Sequence, residues 1–336
     1  LSPFLTLATR GSALHIDPAL GGALLGWRWG SHEILRPMPE ASHRAGLVEH
    51  SSSWPLVPWS NRIAGGRFTW LGREHQLPTS PQDPHAIHGI GWRRAWRVMA
   101  CEPDSPRGAR AHLVLDHSAD ASWPFAFRAE QHIELIQHEE RVTLELRLSV
   151  TNLDAIPMPA GLGAHPYFAR HASTELCFRA HAAWEHDEQR LPTRLVPTPP
   201  ELDFTQARRV HHTPFDRAFV GWDRPALLID RERGYQVRIE ADPLYSRLVV
   251  YVPPDVDYLA IEPVSHDTNA INAATMQAGT IQAGLSSADL LKSSEQLTAE
   301  QATARKTDFT SGGLKVLTPL QTLSGSMRFT CEPCGS

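Results

Sequence analysis

The 336-residue sequence is poor in cysteine, carries no long apolar run and leans only weakly to one sign of charge. Each shortage excludes something. Four cysteines, Cys101, Cys177, Cys331 and Cys334, are too few and too scattered for a disulfide framework. Cys331 and Cys334 form a C-x-x-C at the extreme C-terminus. They lack the following helix that thioredoxin-like chemistry needs and the two further nearby ligands that zinc needs. Free thiols in a reducing cytoplasm are the expectation. No apolar stretch approaches the ~18 residues of a membrane span. Residues 1–10 lack the basic start and full apolar core of a signal peptide, and their lack of Met leaves room for residues upstream. The formal net charge is −5, and no long run of Lys or Arg occurs, which argues against nucleic-acid or anionic-membrane partners.

What the sequence does have is apolar mass and turns. Hydrophobic residues make up 41%, enough for a sizeable core, and 27 Pro and 22 Gly are spread along the chain. That favours many short strands over long helices. The clearest period of two lies at 143–150, where Leu144, Leu146, Leu148 and Val150 alternate with Thr143, Glu145, Arg147 and Ser149. Residues 111–115 and 131–136 read alike. Turns at Leu71-Gly72 and Arg233-Gly234 predict hairpins. Residues 37–50 read as irregular, 85–98 as extended around Trp92 and Trp96, and 192–200 as a Pro-rich connection. Successive strands without intervening helices predict an antiparallel all-β architecture in a single domain over 1–336. Residues 273–312, rich in Ala, Ser, Thr and Gln, read as a partly helical or mobile insertion.

Several side chains stand out for chemistry. In GLGAHPYF, residues 161–168, Pro166 biases His165 towards extended backbone, and small residues leave space beside it. A histidine so held is either a half-buried strand end or a proton donor facing a ligand. Asn61 and Arg62 lie between a Trp/Pro segment and the Gly65-Gly66 turn. Arg62 reads equally as a solvated loop charge or as a planar donor fork for hydroxyls. His85 and His88 at i, i+3 suggest a metal pair, but Gly89 and Gly91 argue against the helix it would need. Asp216 follows Pro214-Phe215. Glu262 ends a short apolar strand before Pro263, as an exposed strand end or as a carboxylate fixed by rigid scaffold.

Taken together, these pieces resemble the aldose 1-epimerase (galactose mutarotase) family. The matching stretches are Gly21-Gly22, PLVPWSNRIAGGRF at 55–68, HGIGWRRAW at 88–96, GAHPYF at 163–168, FDRAF at 215–219 and IEPVSHDTNAIN at 261–272, in the family's order. The resemblance implies a single large antiparallel β-supersandwich with its site in an open cleft. It implies an enzyme interconverting the α and β anomers of a free aldohexose, without metal or organic cofactor, as a cytoplasmic monomer or weak dimer. Carried over by motif, His165 is the general acid and Glu262 the general base. Arg62, His88, Asp216 and Asn61 bind the sugar, and Trp54, Trp59, Trp92 or Tyr167 could pack on its face.

Ring opening fits this residue set. A base takes the C1 hydroxyl proton while an acid protonates the ring oxygen, and no electrons leave the substrate. The sequence also departs from the family. Better-known members tend to carry a glutamine on the strand that here reads LVVYV, and Pro-Gly where this chain has Pro319-Leu320. Two rival readings stay open. One is a hexose-phosphate mutarotase, for which Arg93, Arg94 and Arg97 would supply basic charge. The other is a non-catalytic sugar-binding protein on the same fold. A two-carboxylate glycosidase fits less well, because no second acid sits in a comparable motif.

Overall fold

A computed structural model describes residues 4–104, 108–211, 213–223, 225–273 and 312–334. Of the expected insertion, residues 274–311 lie outside these. Among the described residues the regular structure is almost all β-strand, and every paired ladder of named strands is antiparallel. Two large sheets dominate, one of 12 described strands and one of nine.

The period-two stretch is the strand Arg141–Asn152, which pairs with Phe127–His138 on one side and Thr322–Pro333 on the other. Register places Leu144 between Leu135 and Phe329, all three buried. Their polar neighbours face outward, so one face of the nine-stranded sheet forms core and the other is partly wet. The opposing face comes from the wider sheet, and Phe168 of that sheet meets Phe329 at a ring separation of 5.7 Å.

The wider sheet is apolar on both faces near its middle. In the strand Arg247–Val252, Leu248, Val250 and Val252 join the main core, whereas Val249 belongs to a second, smaller apolar cluster. Tyr258–Val264 divides in the same way: Leu259 and Ile261 face the core, Ala260 and Val264 the small cluster. Ala23, Val48, Trp54, Leu56, Trp92 and Tyr167 complete that cluster. It forms a floor on the face turned away from the core, and Glu262 projects between Ala260 and Val264 on it.

Three local expectations change. Residues 37–50 contain a short helix, Glu40–Arg44, with a Glu40–Arg44 ion pair at 3.4 Å, and a 3-10 turn at Val48–His50. Trp92 lies in a 3-10 turn, Gly91–Arg93, because Gly89 at φ 72° turns the chain sharply. A Cβ on Gly89 would fall 2.1 Å from the Val57 carbonyl oxygen, so only glycine fits. The Pro-rich connection is itself a strand, Pro192–Pro197, which among the described residues pairs only with Ala182–His186, at the end of the wide sheet. Proline is tolerated there because an edge strand has a side that needs no donors. The Leu71-Gly72 turn joins Arg67–Trp70 to Arg73–Gln76 as expected.

The alternation gives a stability test. Leu144→Ala should cost about 2–5 kcal/mol by opening a cavity. Glu145→Ala, one residue on, removes a surface pair with Arg328 and should cost no more than about 1 kcal/mol. Urea unfolding of both variants checks this; equal losses would mean that the register is wrong.

Candidate active site

His165 sits in the gap between two short strands, Gly163–Ala164 and Tyr167–Ala169, both paired with Tyr258–Val264. Pro166 supplies no N–H, which breaks the ladder there. Gly163 pairs with Val264 and Tyr167 with Ala260, so His165 lies directly opposite Glu262. Its Nε2 is 3.3 Å from Glu262 Oε1. The glycines of this stretch are required by close packing. A Cβ on Gly161 would lie 1.9 Å from the His266 ring, and one on Gly163 would lie 2.9 Å from Val264.

Aromatic walls fix the imidazole. Trp54 stacks on it at 4.5 Å, Tyr167 tilts against it at 4.6 Å, and His88 meets it edge-on at 5.1 Å. Trp92 stacks behind Trp54. The His165 and Glu262 side chains are only 8% and 4% exposed. Burial raises the Glu262 carboxyl well above its ordinary range; the Asp216 charge adds to this and Arg62 opposes it. Burial lowers His165 to about 3, with its own backbone partly offsetting and Arg36 reinforcing the drop. Both directions favour an uncharged pair.

Arg62 is partly buried and held by a neighbour the sequence reading missed: its Nε donates to Asp83 Oδ2 at 2.9 Å. Arg62 is thus an anchored guanidinium rather than a solvated loop charge. Asn61 and His88 both adopt positive φ, 56° and 64°, a conformation uncommon outside glycine. They are locked together by two bonds. His88 N–H donates to the Asn61 carbonyl, and Asn61 N–H donates to His88 Nδ1 at 3.2 Å. Nδ1 is therefore an acceptor, and a neutral His88 carries its proton on Nε2. Burial, with the neighbouring His165, Arg62 and Arg93, lowers the His88 pKa and keeps it neutral. The Asn61 side-chain oxygen is taken by Arg62 N–H. His85 does not join His88 in a metal pair, because its Nδ1 accepts Gly65 N–H instead.

Asp216 reaches the same face from the neighbouring strand Phe215–Val220, two residues from Ala218, which pairs through Val249 to Glu262. It is paired loosely with Arg190, at 3.7 Å. A small depression of about 20 Å³ is lined by Asn61, Arg62, His186, Arg190, Asp216 and Arg217. A larger depression, about 1130 Å³, is not centred on the His165–Glu262 pair; it meets the small one at Trp184, Pro192 and Thr268. The structure thus brings together His165, Glu262, His88, Arg62, Asn61 and Asp216. Trp54 is a wall for His165, and Trp59 stays in the main core.

His266 is another residue the sequence reading passed over. Its Nε2 accepts Ser60 N–H at 3.0 Å and its Nδ1–H donates to the Asp267 carbonyl at 2.8 Å. It clamps the Asn61–Arg62 segment against Gly161. Nothing local marked it, because its partner lies 206 residues away.

A family model described as Aldose 1-epimerase matches residues 5–286. The chain is similar to the uncharacterized protein YphB of Escherichia coli (strain K12), 31% identical over 255 residues, covering 73% of this chain and 82% of that protein. In structure it is similar to a galactose mutarotase-like protein from Clostridium acetobutylicum, with a TM-score of 0.78 at 20% identity over 98% of this chain and 95% of the other. It is also similar to galactose 1-epimerase from Lactobacillus acidophilus NCFM, with a TM-score of 0.71 at 16% identity over 98% and 94%. At such identities these two structures bear on the fold alone, and the fold is the galactose mutarotase-like sandwich.

The raised Glu262 pKa predicts a pH signature. A folded-state pKa above the unfolded ~4.3 gives stability that is present below that value and lost as pH rises through the folded pKa. At pH 8 the unfolded carboxyl is ionised while burial resists ionisation in the folded chain, a cost to the wild type that Glu262→Gln does not carry. The variant should therefore melt higher than wild type at pH 8, and the gap should close towards pH 4. A gap that is absent, or that grows on acidification, would contradict the burial argument.

Proposed function

The chain belongs to the aldose 1-epimerase family, and on that premise we propose that it interconverts the α and β anomers of a free aldohexose of galactose or glucose type. The observation that carries this is the cross-strand pair itself: an acid and a base 3.3 Å apart, buried together and facing His88, Arg62 and Asp216. In the forward step Glu262 removes the proton from the C1 hydroxyl while His165 protonates the ring oxygen. The C1–O5 bond breaks and an open-chain aldehyde forms. Rotation about C1–C2 exposes the other face, and closure runs with the roles exchanged. The pair keeps the same number of protons throughout; only their distribution changes. Burial opposes the charged arrangement and favours the neutral one. The pair therefore tends to give up its separated charges at the moment the ring opens.

The remaining groups bind hydroxyls. His88 Nε2–H donates, Asp216 accepts, and Arg62 offers the donors that Asp83 leaves unused. Asn61 contributes its amide nitrogen and holds His88 in place. Val249 stands directly opposite Glu262. Its strand, which reads LVVYV, is the one on which better-known members tend to carry a glutamine, so discrimination among hydroxyls rests more on Arg62, His88 and Asp216.

One observation favours a second reading, a phosphate-bearing hexose. Three guanidinium groups, Arg62, Arg190 and Arg217, line the small depression beside Asp216. The residues suggested by sequence serve less well. Arg94 is engaged by Asp120 and Ser122, Arg97 by Asp116, and Arg93 lies over the Trp92 ring.

Polarimetry of freshly dissolved α-D-glucose and α-D-galactose tests the first reading. The protein should speed the approach to the same final rotation, and Glu262→Gln and His165→Asn should each slow it by about 10²–10⁴-fold. Near-normal rates in both variants would overturn the assigned roles. Asp83→Ala should raise KM more than it lowers kcat, by releasing Arg62. Faster turnover of glucose 6-phosphate than of glucose would select the second reading; binding of sugar without acceleration would mean a binding protein.

A further inference from the structure

Away from the cleft, on the nine-stranded sheet, lies a cluster that the mutarotase reading does not use. His112, on the strand Ala109–His117, is the direct cross-strand partner of His132, on Phe127–His138. Glu130 is two residues from His132 on the same strand, so all three side chains share one face. The intervening residues Ala111, Leu113, Ala129 and Ile133 are buried in the core, which fixes both strands beneath the cluster. His112 Nε2 is 2.8 Å and His132 Nε2 3.8 Å from the same oxygen, Glu130 Oε2. The two imidazoles stack at 4.0 Å with an interplanar angle of 13°. All three donor atoms lie within 4.8 Å of one another.

We propose that His112, Glu130 and His132 form a binding site for a divalent transition-metal ion of the zinc type. An ordinary surface ion pair accounts for only part of the geometry. The His112–Glu130 contact satisfies one imidazole and one carboxylate oxygen. It does not require a second imidazole to aim its Nε2 at that oxygen without bonding to it. Two imidazole nitrogens and a carboxylate oxygen grouped within 4.8 Å of one another supply the His₂Glu donor set that zinc takes with one position left open. A zinc ion with bonds of ~2.1 Å sets neighbouring donors about 3.4 Å apart. The 2.8 Å contact opens slightly, and the stacked rings tilt so that their Nε2 edges draw together and both lone pairs meet at the ion. The side chains are 26%, 31% and 42% exposed, so they have room for this.

The surroundings allow it. Ala100, opposite His112 on the outer strand Arg97–Glu102, is small and leaves that flank open. Arg147 is the neighbour of His132 on the other side and would repel a cation. Its Nε, however, donates to Ser324 Oγ at 3.3 Å, which draws the guanidinium towards the next strand. Glu134 lies on the same face and adds negative charge near His132.

The test uses the full chain stripped with chelator and titrated with zinc chloride at pH 7.5 by calorimetry. One ion per chain should bind, and it should raise the melting temperature. His112→Ala and His132→Ala should each weaken binding at least about tenfold and abolish the thermal shift. Zinc K-edge absorption on the loaded wild type should show two imidazoles with oxygen and no sulfur, a readout that stands even if a variant fails to fold. No binding, unchanged affinity in both variants, or sulfur scattering that places the ion at the cysteines would each overturn the proposal.

Discussion

The site depends on antiparallel register. Val249, Glu262 and the position of His165 fall in one row across three neighbouring segments of the wide sheet. Side chains alternate strictly, so a slip of one residue would send Glu262 into the main core and Ile261 into the cleft. Leu248, Val250, Leu259 and Ile261 prevent that slip, because each is sealed in the core on the opposite face. The apolar half of each strand thereby aims the polar half. Pro166 then interrupts the pairing only where the imidazole must stand clear of its strand.

That arrangement holds a carboxylic acid and a histidine in surroundings hostile to their charges. Burial pushes the two groups in opposite directions, towards a shared neutral state. Arg62 is the chief counterweight for Glu262, and it is itself held by Asp83. Such groups are poor contributors to stability when unpaired and useful as proton carriers when a ligand joins them. The positive φ at Asn61 and His88 belongs with this. Of the eight described non-glycine residues with positive φ, these two face each other in the cleft, and mutual hydrogen bonds hold them there.

Much of this was legible in the order of residues. Alternation at 143–150 predicted its strand and the buried side of it. Pro166 predicted extended backbone at His165, and the ordered motifs predicted the family, the fold and the group of six side chains that the structure brings together. What escaped was set by contacts distant in sequence. Asp83 sits among Ser, Pro and Gln with no local sign that it grips Arg62, and His266 reaches Ser60 across most of the chain. Turn chemistry also misled. Gly89 bends the Trp92 segment into a tight turn, and Glu40–Arg44 forms a helix too short to show a period. Pro192 and Pro197 suggested a connection because proline is rare in strands, yet an edge position tolerates it.

That edge has a consequence for how copies of the chain meet. Among the described residues, the twelve-stranded sheet leaves its last strand paired on one side alone, and such an edge is a template for strand addition by a neighbour. Here the last strand on one side begins and ends in proline, so a donor is missing at each end of the row. Its middle carries Arg194, bound to Glu185 on the strand behind it. An incoming strand would meet charge where it needs apolar contact and gaps where it needs hydrogen bonds. The same prolines that disguise the strand in the sequence act as gatekeepers against open-ended sheet growth from that side.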